Sequence, residues 1–445
     1  MADHGSENHQ IPRDDAPRVQ IDELAEQRGP LDAPQELAHD DVPRLEDRML
    51  ARQSIALRHL VTDVAELEGQ AAPALLAEAT GAATSMQPAK PAPSVSIFRK
   101  RLRKFKSMKR GYYSFVLLSI LYLVSFLLPI LVNNKAVAIG YNGETYFPAL
   151  LDLVPGASSF YPGSEFGQPG NSGEANYREL DIQFEKENGD NWVLMPLYPW
   201  SPIENDFGMD ATQLPAPPSS RHLFGTDDVG RDVFSRMCYG FNISISFALI
   251  LVALEYMIGA IIGGVMGYYG GKVDLIAQRF VEIWANIPFI YTVIIIGSIV
   301  IPSFSMLIWI LAAFQWISIS AYMRGEFYRE KAKDYVAAAI ALGARDRRII
   351  FKHILPNSLT PLIAFLPFAV IGGITVLVSL DFLGFGLPVP TPSWGQMLDV
   401  GRQNLDRWWL IITPLSALFL TLLLVTFIGE AIREAFDPRV YSRLR

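Results

Sequence analysis

The stretch AAAIALGARDRRIIFKHILPN, residues 337–357, lies between two long apolar segments and decides how the chain is read. It carries Arg345, Arg347, Arg348, Lys352 and His353. A segment this basic between hydrophobic runs belongs on the cytoplasmic side of a membrane. The pattern predicts a short helix over 334–342, opened by Asp334 and closed by Gly343 as the left-handed residue. A second short helix is expected from Arg345, stopping before Pro356, which cannot continue it. The expected product is a compact helix, turn and helix facing the cytoplasm.

Half of the 445 residues are apolar and the mean hydropathy is +0.22, which suits a large soluble protein or a modest polytopic membrane protein. Their distribution decides between the two. Apolar runs near bilayer-crossing length recur from Tyr112 onward, and none precedes it. They place spans at 112–132, 243–266, 275–301, 304–323, 358–380 and 408–428. The basic block RKRLRKFKSMKR, residues 99–110, abuts the first span, which puts the N-terminus in the cytoplasm and suits anionic membrane lipid. Independently, the eight Lys and Arg of 324–357 put that loop on the same side. Six spans with both termini inside is the consistent count, and the fold class is an all-α polytopic membrane protein.

The net charge of −7 is unevenly distributed: residues 1–98 hold 17 acids and 8 bases, leaving the remainder slightly positive. Nucleic acid is therefore not implied as a partner. Residues 1–96, rich in Ala, Pro, Asp and Glu, read as a disordered acidic tail with one possible surface helix over 45–68. A later translation start, for example at Met86, is held open, and the intact mass of the native protein tests it. Residues 133–241 carry 15 acids against 6 bases, which suits the outer side, and a connection this long is expected to have structure of its own.

Within the spans, Gly259, Gly263 and Gly267 recur at four-residue spacing and predict a close helix contact. Glu255 and Glu282 are the intramembrane carboxylates, either lining a pathway or hydrogen-bonded structurally. Residues 270–274 predict a tight cytoplasmic turn and Pro288 a kink in the third span. Pro361, Pro367, Gly372 and Gly373 make the fifth irregular. In FGTDDVGRDVFSRMCYG, residues 224–240, Asp227 or Asp228 is expected to cap an amphipathic helix with Val233, Phe234 and Met237 toward the membrane. Arg231 and Asp232 read as a local ion pair. Cys238 stands alone, so no intramolecular disulfide or cysteine metal cluster is expected, and the histidines show no ligand spacing. No cofactor is implied.

Four stretches together resemble a known family. Ala338, Ala339, Gly343, Leu355, Pro356 and Asn357 match the Glu-Ala-Ala, Gly, Leu-Pro loop of bacterial ABC importer permeases, with Ala337 where that family has Glu. Residues 224–240 resemble the Gly-Thr-Asp, Gly-Arg-Asp, Ser-Arg signature of dipeptide and oligopeptide permeases. DFLGFGLPVPTPSWGQML, residues 381–398, and Gly429, Glu430, Asp437, Pro438 and Arg439 match two further signatures. YNGETYFP at 141–148 and the long outer loop look like the Yej-type subgroup, which serves importers of oligopeptides and of microcin C. The same importer class also holds permeases for dipeptides, nickel and opines.

The resemblance implies the type I importer permease fold in the bacterial inner membrane. The expected organisation is a cytoplasmic tail (1–96), basic flank and first span (97–132), periplasmic region (133–241), permease core (242–430) and cytoplasmic C-terminal tail (431–445). It also implies a second homologous permease in a heterodimer, two ATP-binding subunits or domains, and a periplasmic solute-binding protein. No Gly-rich phosphate loop with Lys-Ser/Thr occurs, so ATP hydrolysis falls to a separate subunit and the chain is not an enzyme. In this picture the loop from Asp334 onward docks on the ATPase. Arg347 and Arg348 pair with acids there, and Ala338, Ala339 and Leu342 supply apolar contact. The competing reading, a stand-alone secondary transporter, needs internal repeats or its own coupling carboxylates, for which Glu255 and Glu282 are the candidates.

Overall fold

Among the described residues the apolar runs fold as helices, with a small mixed substructure between the first and second spans. The computed structural model describes residues 97–436, apart from 154–158, 169–172, 188, 207 and 209–213. The expected tail disorder, the surface helix over 45–68, and Asp437, Pro438 and Arg439 lie outside the described residues.

The basic flank is a helix of its own, α1 (Ile97–Ser107), followed by α2 (Lys109–Ser125) and the short α3 (Leu128–Leu131). At 17 residues α2 extends about 26 Å, so it needs α3 to complete a crossing of about 30 Å. The connection between the first and second spans builds an antiparallel sheet in the order β2-β1-β3 from β1 (Ala138–Tyr141), β2 (Glu144–Tyr146) and β3 (Trp192–Leu194). Asn142 and Gly143, at φ 52° and 84°, form the two-residue turn between β1 and β2. The short helices α4 (Pro148–Leu151) and α5 (Tyr177–Glu187) complete this layer. Ile139, Phe166, Tyr177, Leu180 and Phe184 form its core, as expected of a connection too long to be structureless.

The second span, α6 (Val233–Tyr269), is 37 residues long, about 55 Å, and so begins well outside the bilayer core. Its cap is Asp232, whose side chain accepts from the Ser235 N–H at 2.7 Å, in place of Asp227 or Asp228. Asp227 is held instead in the preceding turn, where it accepts from the backbone N–H groups of Val229 and Arg231 and from Arg231 Nε at 2.7 Å. The expected Arg231–Asp232 pair is therefore replaced by Arg231–Asp227. The free oxygen of Asp232 meets Tyr198 Oη at 2.7 Å and His222 Nδ1 at 2.8 Å. His222 Nε2 lies 3.1 Å from Asp206 Oδ2, so one buried imidazole staples the outer loop to the start of the span. Val233, expected to face the membrane, is instead buried in a core cluster with Trp394, Trp409 and Leu410, because the helix that begins at Trp394 and the start of the last span pack over the first turn of α6.

Helices α7 (Gly271–Ala285) and α8 (Phe289–Ile299) form the third span, bent by 65° around Pro288. Gly270 and Gly271, both at positive φ, make the tight turn before α7. The fourth, α9 (Phe304–Lys331), packs along α6, where the three glycines lie. A Cβ at Gly263 would fall 2.2 Å from the Ser320 carbonyl oxygen, and at Gly259 2.7 Å from Ile319 Cβ. After α10 (Asp334–Ala341) comes α11 (Asp346–Arg348), a π-helical segment (Ile349–Ile354) and α12 (Leu355–Ile363). The helix expected to stop before Pro356 therefore runs through it. Proline lacks an N–H and its ring crowds the carbonyl four residues back. The wider π turn, in which the Leu355 N–H bonds to the Ile350 carbonyl, accommodates both.

The segment Asp346–Ile363 meets α13 (Leu366–Phe382) at a 59° bend, so the fifth span is two helices. α14 (Trp394–Gln403) and the last span, α15 (Trp409–Phe436), complete the chain. Among the described residues, α6, α9 and α15 are each long and apolar enough to cross a bilayer, and the two bent pairs bring the number to five. Helix α2 is too short to cross alone, and with α3 it is the candidate for the expected first span. The first and last spans are in close contact: a Cβ at Gly111 would fall 2.1 Å from Ala431 Cβ, and Lys104 pairs with Glu434 at 3.4 Å.

Candidate functional site

The C-terminal end of α9 anchors the loop singled out from the sequence. Glu330 is buried there, and its two oxygens accept from Lys333 Nζ at 2.6 Å and Tyr335 Oη at 2.7 Å. The Tyr335 hydroxyl also accepts from Asn357 Nδ2 at 3.1 Å and has the His353 carbonyl oxygen 3.2 Å away. Asn357 Nδ2 donates to that same carbonyl at 2.8 Å. One phenol thus ties together the end of α9, the first turn of α10 and the start of α12. Burial and the Glu330 carboxylate push it above the ordinary tyrosine range. A second tie joins α6 to α11, with Tyr268 Oη donating to Asp346 Oδ1 at 2.8 Å and Lys331 Nζ to the Tyr268 carbonyl at 2.5 Å.

Helix α10 ends in a Schellman motif. The Gly343 N–H bonds to the Ile340 carbonyl at 2.9 Å, the Ala344 N–H to the Ala339 carbonyl at 3.0 Å, and Gly343 has φ +75°. A Cβ at Gly343 meets nothing within 4 Å, so only the backbone conformation calls for glycine there. Val336 and Ala339 turn inward, Val336 onto Met323, Phe327, Ile349 and Ile354. Ala339 is therefore covered by its own chain, and the outward apolar surface is made by Ala337, Ala338, Ile340 and Leu342, the last 88% exposed.

Beside this surface, Arg345, Arg347, Arg348, Phe351, Lys352 and Pro356 line an open depression of about 670 Å³. No ion pair engages these cations among the described residues, so the face combines exposed leucine and phenylalanine with uncompensated positive charge. Asp334 is exposed in the first turn of α10, and His353 is half-buried and contributes its carbonyl.

The remaining sequence candidates lie elsewhere. Glu255 in α6 is 8% exposed and makes no hydrogen bond or ion pair among the described residues. Glu282 in α7 is instead paired with Arg279 at 2.6 Å and half-exposed. Glu330, Tyr335, Tyr268 and Asp346 were not singled out from the sequence. The one signal was a tyrosine directly after the predicted helix start, in DYVAAA.

Residues 259–442 match the family described as the binding-protein-dependent transport system inner membrane component. The chain belongs to this family of multi-pass inner-membrane permeases, whose members are transport subunits working with a separate ATPase and a solute-binding protein. Among its relatives, it is 40% identical over 344 residues to the inner membrane ABC transporter permease protein YejE of Escherichia coli (strain K12), covering 76% of this chain and 96% of that one. It is 36% identical to the peptidoglycan transport system permease protein YejE of Agrobacterium fabrum, covering 82% and 98% respectively. It is 34% identical to the dipeptide transport system permease protein DppC of Bacillus subtilis, over 52% of this chain and 72% of that one.

Proposed function

We propose that the chain is one of two homologous permeases that form a path across the inner membrane for oligopeptides or peptide-like compounds. Each permease sits on an ATP-binding subunit, and a solute-binding protein delivers substrate from the periplasm. Both termini lie in the cytoplasm. The names of the relatives, dipeptide transport for one and peptidoglycan transport for another, support solutes that carry peptide bonds.

The observation that carries the coupling role is the exposed Leu342 beside unpaired Arg345, Arg347 and Arg348, on a turn fixed to three spans by Tyr335 and Tyr268. The apolar face of α10 lies in a groove of the ATPase while Arg347 and Arg348 meet acids there. Closure of the two ATPase subunits moves this loop as one body and tilts α9 and the Asp346–Ile363 segment, opening the path alternately to the two sides. Ala337, where relatives of the resemblance carry Glu, removes one charge from the docking face and leaves the helix intact, because Ala is a strong helix former.

Gly343→Arg tests this in the assembled transporter in proteoliposomes. A left-handed conformation costs a side chain about 1–2 kcal/mol. Uptake and binding-protein-stimulated ATP hydrolysis should therefore fall about tenfold while the assembly still purifies. Uptake and stimulation at the original level would sink the coupling role.

A further inference from the structure

A second polar site lies at the opposite, outer end of the bundle. Between the start of α6, the α8–α9 connection and the segment after α13 is a cavity of about 320 Å³. That is near the lower end of small-molecule pockets, about 300 Å³. Its charged and amide lining consists of Asp227, Arg231, Arg236, Asp381, Gln396 and Asp399.

The two signs of charge are unequally satisfied. Every acid is occupied by its own chain. Asp227 takes Arg231 Nε and two backbone N–H groups. Asp381 accepts from the Leu387 N–H at 2.6 Å and Ser393 Oγ at 2.5 Å. Asp399 accepts from Arg402 and Gln403. The arginines keep unused donors. Arg231 is 8% exposed, yet only its Nε is bonded, and neither Nη has an acceptor among the described residues. Arg236 is 1% exposed, and its Nε has no hydrogen-bond partner, with Asp227 Oδ2 3.8 Å away. Its Nη1 reaches the Pro202 carbonyl at 3.2 Å and its Nη2 reaches Gln396 Oε1 at 3.4 Å.

Arg236 Nε is a buried donor without an acceptor, which is costly. The Arg231 Nη groups have no protein acceptor among the described residues and line the cavity, where a carboxylate satisfies several guanidinium donors at once in the fork geometry. A cationic ligand would face two arginines with every acid already taken. We infer that this cavity receives a carboxylate group of the transported solute on the outer side. This rests on the importer reading above. Since every peptide with a free C-terminus carries such a group, the site would act as a check on peptide ends, separate from the binding protein.

The test uses the complete assembly in proteoliposomes, with the binding protein, and compares ATP-driven uptake of trialanine and trialanine amide. The ratio of the two uptakes, variant against wild type, cancels the binding protein's own preference. Arg231→Lys keeps a charge beside Asp227 but lacks the Nη pair, and Gln396→Glu places a carboxylate against Arg236 Nη2. A lost charge-assisted pair corresponds to about a tenfold change, so each variant should lower the acid-to-amide ratio by about that factor. If the ratio stays within about twofold of wild type in the variants that assemble, including when both uptakes fall together, the carboxylate site is overturned. A wild-type assembly that takes up neither peptide counts against the importer reading instead.

Discussion

Tyr335 concentrates more of the loop's geometry than any residue of the recognised motif. Among the described residues its hydroxyl is the one group shared by the Glu330 carboxylate, the Asn357 amide and the neighbourhood of the His353 carbonyl. Tyr335→Phe keeps the ring against His353 and removes those bonds, a loss of about 1 kcal/mol each. Uptake per ATP hydrolysed should drop several-fold while basal hydrolysis by the ATPase persists. Equal coupling efficiency in the variant and the wild type, measured as solute moved per phosphate released, would show that the loop is held by packing alone. The neighbouring Gly343 was legible in the sequence because a glycine directly after a helical run has a local cause, the left-handed closing residue. Tyr335 was not, because its partners lie 5 and 22 residues away and exist only once three helices meet. The mistaken pairing of Arg231 with Asp232 has the same origin: Tyr198 and His222 claim Asp232 from 34 and 10 residues away.

At the scale of elements, the contact between α6 and α9 depends on backbones approaching each other directly. Gly263 allows no substituent, since a Cβ would overlap the Ser320 carbonyl, whereas Gly372 in α13 has open space around its own. Gly263→Val should therefore lower the melting temperature of the purified assembly in detergent by several degrees. Gly372→Ala should leave it level or raise it slightly, because alanine favours the helix by about 1 kcal/mol. Equal melting temperatures for the two variants would contradict the contact. The four-residue glycine spacing made this element readable in advance. The π segment was not readable, because the rule that proline ends a helix is local, and it is overridden where Ile349 and Ile354 bury against Met323, Phe327 and Leu362. The bends in the third and fifth spans were expected from Pro288 and from Pro361 and Pro367, while their angles of 65° and 59° were not, since hydropathy measures length and polarity but not direction.

For the whole molecule, hydropathy supplied the apolar spans and their order, and the substructure between the first and second spans was legible only as a length of chain. Its Asn-Gly turn was a usable hairpin signal in YNGET. Two exposed leucines test the orientation. In a Cys238→Ser background, Leu342→Cys, at an 88% exposed site on the coupling loop, should react with a membrane-impermeant maleimide only in opened or inverted vesicles. Leu197→Cys, 89% exposed in the outer substructure, should react in intact right-side-out cells whose outer membrane is permeabilised. The reverse pattern would invert the assignment of cytoplasmic and periplasmic faces.

The seam between the first and last spans has a consequence for biosynthesis. Gly111 lies against Ala431, Lys104 pairs with Glu434, and the Arg101 guanidinium sits 4.8 Å from the Phe436 ring, so the first of the described spans is completed by the last. Until α15 is made, the face of α2 around Gly111 that packs on it has no neighbour there. A nascent or prematurely terminated chain therefore carries an unsealed edge that a membrane protease or insertase could use to tell it from the finished product.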